Sequence, residues 1–84
     1  MTKFTEADIQ QLMRKAADDP DLQFPQNWID KEFQELDFDS LSVLELATLV
    51  QKQYGVAMSD EVVEDLTTPR SFQKYVEDRL SEDN

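Results

Sequence analysis

The chain has 84 residues, no Cys, no His, and nineteen Asp and Glu against eight Lys and Arg, a formal net charge of −11 at pH 7. A chain of that length forms one domain with a small core, and its charge excludes binding to DNA, RNA or an anionic membrane through a basic face. Without Cys or His it has no disulfide, no thiolate or imidazole metal site, no thiol nucleophile and no imidazole base, so a catalyst is a poor expectation.

Charged residues make up 32% of the chain, but five Phe, two Tyr and one Trp, with apolar residues at helical spacing, predict a folded domain. One Gly and three Pro supply too few turns for a β-rich fold. The expected class is all-α: a small four-helix bundle over residues 1–84, with three longer helices, a short third one, and a long packed loop between the first two.

The first helix is predicted over about 5–17. Thr5 caps it and Asp8, three residues on, completes an approximate capping box. Ile9, Leu12, Met13 and Ala16 form one buried stripe. Ala17-Asp18-Asp19-Pro20 is read as its end, because a residue before Pro avoids the helical region. From Asp18 to Asp39 runs a connection broken by Pro20 and Pro25. Its Leu22, Phe24, Trp28, Ile29, Phe33 and Leu36 are too apolar for a solvated linker and are expected to cap one end of the bundle. A short helical turn is expected near Asp30 to Glu35.

The second helix is predicted over about 40–54, with Asp39 or Ser40 as its cap and Gly55 closing it. Val43, Leu46, Ala47, Val50 and Tyr54 form its inward stripe. Leu41, Leu44 and Thr48 fall on another side, which marks a helix that is deeply buried or meets a partner. Ser59 caps a short third helix over about 59–65, whose Asp60 and Glu61 suit its first turn. Thr68 caps the last helix, over about 68–80, with Pro69 in its first position. Phe72, Tyr75, Val76 and Leu80 give its stripe, and Ser81 to Asn84 should fray.

Nineteen carboxylates raise the question of a metal site. Asp37-Phe38-Asp39 begins like a calcium loop, but Leu41 and Ser42 stand where a third oxygen ligand and a Gly are required. No metal is expected, and most of the acids form solvated faces. Ser40 at a helix start would ordinarily be only a cap. Without a histidine it cannot be a hydrolase nucleophile, but a group attached to it would sit at the positive end of helix 40–54, which favours a phosphodiester.

The stretch Phe33-Gln34-Glu35-Leu36-Asp37-Phe38-Asp39-Ser40-Leu41, with Glu45-Leu46, Tyr54-Gly55-Val56, Asp60-Glu61 and Thr67-Thr68-Pro69, resembles an acyl carrier protein. The resemblance covers about three-quarters of the chain. It implies that Ser40, flanked by Asp39 and Leu41, accepts 4′-phosphopantetheine from coenzyme A through a phosphopantetheinyl transferase, and that the arm's thiol carries acyl groups. It also implies a docking face of Asp37, Asp39, Leu41, Leu44, Glu45, Thr48, Asp60, Glu61 and Glu64. From Asp37 to Asp65 there are seven carboxylates and one lysine, Lys52, which suits brief encounters with basic partner surfaces.

The family's usual Gly is replaced by Asp37, a tolerable change if the position needs φ > 0. Ser42, Gln51, Lys52 and Gln53 make helix 40–54 less acidic than in fatty-acid carriers. Tyr54-Gly55-Val56 and Thr68-Pro69-Arg70 look more like the carriers of type II polyketide synthases, and so of antibiotic biosynthesis. The implied partners are a ketosynthase and chain-length factor, a malonyl transferase, and ketoreductase or other tailoring enzymes. The expected protein is a cytoplasmic monomer that binds neither nucleic acid nor membrane. Fatty-acid or aminoacyl/peptidyl carriers are alternatives, and a different class is an acidic helical adaptor in which Ser40 is only a cap. Val43, Ala47, Val50, Met58, Val63, Leu66 and Phe72 are candidates to line an acyl cavity.

Overall fold

A computed structural model describes residues 3–82. Four helices follow one another: α1 (Glu6–Ala16), α2 (Ser40–Tyr54), α3 (Asp60–Asp65) and α4 (Pro69–Glu82). The connection between α1 and α2 carries two short 3₁₀ turns, Trp28–Asp30 and Phe33–Leu36. The described residues include no strand, and none of their helices is long and apolar enough to cross a membrane.

Local chemistry sets most boundaries. Thr5 Oγ1 accepts the Asp8 N–H at 3.2 Å while Asp8 Oδ2 accepts the Thr5 N–H at 2.9 Å, a complete capping box. Ser59 Oγ accepts the Val62 N–H at 3.2 Å at the head of α3. Thr68 and Ser71 cap α4 reciprocally, each accepting the other's backbone N–H at 3.2 Å.

The end of α1 has a different cause from the expected one. The helix stops at Ala16, and Asp18 adopts φ 54°. The Asp18 N–H then donates to Lys15 O and the Asp19 N–H to Arg14 O, satisfying the last carbonyls in a left-handed closure. That closure, and not Pro20, ends the helix. At its other end α4 runs through Ser81 and Glu82, beyond the expected stop near Leu80. Of the tail expected to fray, Ser81 and Glu82 are helical, and Asp83 and Asn84 lie outside the described residues.

α2 ends at Gly55, which takes φ 70° and donates its N–H to Gln51 O at 3.0 Å. A Cβ there would meet nothing within 4 Å, so a substitution meets only backbone strain. Gly55→Ala should cost about 1–2 kcal/mol and lower the melting temperature by about 5–10 °C. Gly55→Asn should cost less, and calorimetry on the pair checks this.

α1 packs along α2, and α4 holds the Trp28–Asp30 turn. Ile9, Leu12 and Met13 of α1 meet Val43, Leu46, Ala47 and Val50 of α2 and Phe72, Val76 and Leu80 of α4 in one core. Each large apolar side chain so buried stabilises by about 1.5–3 kcal/mol before entropy. Phe4, just before the α1 cap, is completely buried and meets Tyr54 edge-on, ring centroids 5.1 Å apart. With Ile9 it occupies the two positions of a hydrophobic staple.

The long connection is packed. Ile29, Phe33 and Phe38 are buried, with Leu22, Phe24, Trp28 and Leu36 half-buried against them. Trp28 lies against Phe24 at 5.0 Å, and the Arg14 guanidinium lies over the Phe24 ring at 5.0 Å while donating from Nε to Leu22 O. Asp30 pairs with Arg70 of α4. The helical turn expected near 30–35 is thus two turns, separated by Lys31 and Glu32.

Candidate functional site

The approach to Ser40 is built by backbone closure. The Phe33–Leu36 turn ends at Asp37, which takes φ 60°. Its N–H donates to Gln34 O at 3.2 Å and the Phe38 N–H donates to Phe33 O at 2.9 Å. Asp37 therefore occupies a left-handed position, where Asp is among the less costly replacements for Gly. The closure turns Phe38 inward, its ring tilted against Phe33 with centroids 5.8 Å apart, and Phe33 meets Phe72 of α4 edge-on at 6.1 Å. Three rings thereby tie the residue two before Ser40 to the centre of the bundle.

Asp39 follows in extended geometry and caps α2: Oδ1 accepts the Ser42 N–H at 2.8 Å and its carbonyl accepts the Val43 N–H at 3.0 Å. The bond from the Ser42 N–H holds the Asp39 carboxyl below the usual carboxylate range. Of the two residues considered for the cap, Asp39 is the one used. Ser40 is the first helical residue, exposed, and its hydroxyl bonds to no other described residue. A cap-only role for Ser40 is thereby removed, because Asp39 performs it.

The lowered carboxyl fixes the sign of one pH dependence. A group with a depressed folded pKa contributes stability that is complete above its unfolded pKa, about 3.9, and lost as pH falls through the folded value. Asn caps as well as Asp but does not titrate. The native protein should therefore match or exceed Asp39→Asn in melting temperature from pH 5 to 7 and lose ground to it below about pH 4. Relief of general charge repulsion on acidification acts on both proteins, so their difference isolates the cap.

Beside Ser40 a cleft of about 420 Å³ opens between α2, α3 and the loop that precedes α2. Its walls are Phe33, Phe38, Val43, Leu44 and Val63, and its rim carries Glu32, Gln34, Asp60, Glu64 and Thr67. The Phe33 N–H donates to Thr67 O at 2.8 Å and so joins the loop to the α3–α4 link. Of the seven residues expected to line an acyl cavity, only Val43 and Val63 do so. Ala47, Val50, Met58 and Phe72 are buried in the core, and Leu66 is half-buried against it.

Of the residues expected to form a docking face, Leu44, Asp60 and Glu64 border the cleft with Ser40. Leu41 is 75% exposed and Leu44 39%. Asp37, Asp39, Glu45 and Glu61 are exposed but lie off the cleft. Thr48 is half-buried and donates from Oγ1 to Leu44 O at 3.0 Å, so its hydroxyl is already engaged. The sequence reading gave Glu32, Gln34 and Thr67 no role at the site, although Gln34 and Thr67 lie in the motif stretches; the Phe33–Thr67 hydrogen bond helps bring them to one cleft. Among the described residues no group of three or more carboxylates is placed to hold a metal ion.

Residues 7–76 match the family described as "Phosphopantetheine attachment site". The monensin polyketide synthase acyl carrier protein of Streptomyces virginiae is 31% identical over 78 residues, which cover 93% of this chain and 89% of that protein. The solution structure of the acetyl actinorhodin acyl carrier protein from Streptomyces coelicolor superposes with a TM-score of 0.87 at 26% identity, covering 99% of this chain and 98% of that one. The solution structure of the oxytetracycline acyl carrier protein superposes with a TM-score of 0.85 at 31% identity, covering 100% of this chain and 90% of that one.

Proposed function

Because this chain belongs to the phosphopantetheine-attachment-site family, we propose that Ser40 Oγ is the atom to which its 4′-phosphopantetheine is joined. The protein is an acyl carrier of the type II polyketide synthase class, and its prosthetic group is covalent. It works with the enzymes of such a synthase and is a carrier rather than a catalyst. The arm supplies the thiol that holds a growing chain as a thioester. Everything else is delivery.

The observation that carries the Ser40 assignment is its unused, exposed hydroxyl at the first position of α2, beside a cleft and next to a cap supplied by its neighbour. The residues fit the group. The first turn of α2 gives a phosphodiester the positive end of a helix, and Leu41 offers an apolar surface beside it.

Attachment forms an Oγ–P bond, breaks the P–O bond of the coenzyme A diphosphate and releases adenosine 3′,5′-bisphosphate. The Oγ proton must leave to a base outside this chain. There is no imidazole, and the adjacent Asp39 carboxyl is a poor base because the Ser42 N–H stabilises its charged form. The modifying enzyme, a phosphopantetheinyl transferase acting in the cytoplasm, supplies that base.

Leu41 and Leu44, with the exposed carboxylates of the Asp37–Asp39 segment, Glu45 and α3, form the surface that partners meet. A ketosynthase with its chain-length factor, a malonyl transferase and a ketoreductase are the partners this surface serves. Charge gives rapid encounter and the small apolar contact gives modest affinity. Phosphopantetheinylated and malonylated, the protein should support polyketide formation by a type II ketosynthase–chain-length factor pair. Turnover with a fatty-acid ketosynthase and none with that pair would contradict the polyketide assignment.

A further inference from the structure

We propose that the ion pair between Asp30 and Arg70 is a latch that fixes the angle of the loop leading into Ser40, which makes both of them positioning residues for attachment of the arm. This rests on the reading of Ser40 as the attachment point.

Arg70 is the second residue of α4, and its Nε and Nη2 donate to Oδ1 and Oδ2 of Asp30, 40 residues away in the chain. Two such bonds between planar groups set a direction as well as a distance. Three residues further along the loop, the Phe33 N–H donates to the carbonyl of Thr67, which lies three residues before Arg70. Asp30 with Arg70 and Phe33 with Thr67 thus pair the two segments antiparallel. The backbone bond alone would be a pivot, and the ion pair adds the second point that stops rotation about it. Ile29 and Phe33 are buried on the inner side, so the pair is the outer constraint. On the α4 side it stands on the reciprocal Thr68–Ser71 cap.

Only Lys31 and Glu32 separate Asp30 from Phe33, and both are extended, with ψ 148° and 149°. An extended link cannot lengthen, so a shift of Asp30 is passed on to Phe33. From there the chain runs through the Phe33–Leu36 turn and the Asp37 closure to the Asp39 cap and Ser40.

The side chains of the pair are 59% and 54% exposed, Asp30 and Arg70 respectively. An exposed pair is weak and sensitive to salt, so the latch opens and recloses readily. The modifying enzyme then meets a loop of which only the latched fraction presents Ser40 correctly. A smaller competent fraction weakens apparent affinity in proportion and leaves the bound complex unchanged. Loss of the latch therefore acts on KM and not on kcat.

The test compares the native chain with Asp30→Asn, Arg70→Gln and the charge swap Asp30→Arg/Arg70→Asp. Exchange of the Phe33 and Phe38 amide hydrogens, bonded to Thr67 O and Phe33 O, reads the loop without any enzyme. Steady-state loading with coenzyme A, magnesium and a broad-specificity phosphopantetheinyl transferase reads access to Ser40. Each single substitution should speed both exchanges and raise the KM for the carrier by about two- to five-fold, the range an exposed ion pair supports, with kcat unchanged. The swap should bring both readouts back toward native values. In the native chain 1 M salt, which cuts the screening length to about 3 Å, should speed exchange as the single substitutions do, and this arm serves if the swap folds poorly. Exchange unmoved by the single substitutions and by salt would overturn the proposal. So would faster exchange with an unchanged KM, or a swap that restores exchange but not KM, since the transferase would then be touching these residues directly. Each of those results leaves the carrier reading intact. Failure of the native chain to load on Ser40 would overturn the carrier reading and the proposal with it.

Discussion

Ser40→Ala should abolish polyketide formation in a reconstituted type II system while leaving the melting temperature nearly unchanged. Both halves follow from the division of labour at the head of α2. Asp39 makes the capping bond to the Ser42 N–H, so removing the Ser40 hydroxyl removes no structural contact among the described residues. An exposed first-turn Ser→Ala change falls within about 0.5 kcal/mol of neutral. Ser59→Ala provides the contrast, because Ser59 Oγ does accept the Val62 N–H, and its loss should cost about 1 kcal/mol. Activity should behave in the opposite way, retained in Ser59→Ala and absent in Ser40→Ala. Residual product from Ser40→Ala would mean that another hydroxyl carries the arm. A large loss of stability would mean that Ser40 has a structural role.

Phe72→Ala should remove a large part of the protein's stability. Phe72 is completely buried and meets Phe33, which in turn lies against Phe38. Truncating a buried Phe costs about 3–5 kcal/mol, against a total stability of about 4–13 kcal/mol for a chain of this length. The melting temperature should fall by at least about 12 °C. Phe72→Leu keeps most of the volume and should lose far less. The same rings set the loop that delivers Asp39 and Ser40, so Phe72→Leu, still folded, should also be loaded more slowly by the transferase. A drop of only a few degrees in Phe72→Ala would show that the core does not depend on this ring.

Features made by neighbouring residues were legible in the sequence. Thr5, Ser59 and Thr68 announce helix starts because a cap is a bond to a backbone N–H two or three residues away. The stripe Val43, Leu46, Ala47, Val50 placed the buried face of α2, and the motif around Ser40 pointed to the family before any coordinates. Turns of three and four residues have no period to read, so the sequence suggests one turn where the structure has two, at 28–30 and 33–36. Asp18 is an uncommon left-handed closing residue, and Pro20 was the more visible stop signal. Phe4 lies outside any helical stripe; the hydrophobic staple joins it, just before the Thr5 cap, to Ile9 five residues on.

The cleft was legible only in part. Helical spacing identifies what faces inward, and most of those residues, such as Ala47, Val50 and Phe72, fill the core completely. The opening lies where the Phe33–Phe38 loop and the six-residue α3 leave part of α2 uncovered, which depends on how three segments meet.

The central claim is that the free hydroxyl of Ser40, set beside a capping Asp39, carries the arm. Intact-protein mass of the native chain and of Ser40→Ala, after incubation with coenzyme A, magnesium and a broad-specificity phosphopantetheinyl transferase, tests it most directly. The native chain should gain the mass of one phosphopantetheine, fragmentation should place it on Ser40 and not on Ser42, and the variant should gain nothing. An adduct on the variant, or a folded native chain left unmodified under conditions that fully load a control carrier, would contradict the claim.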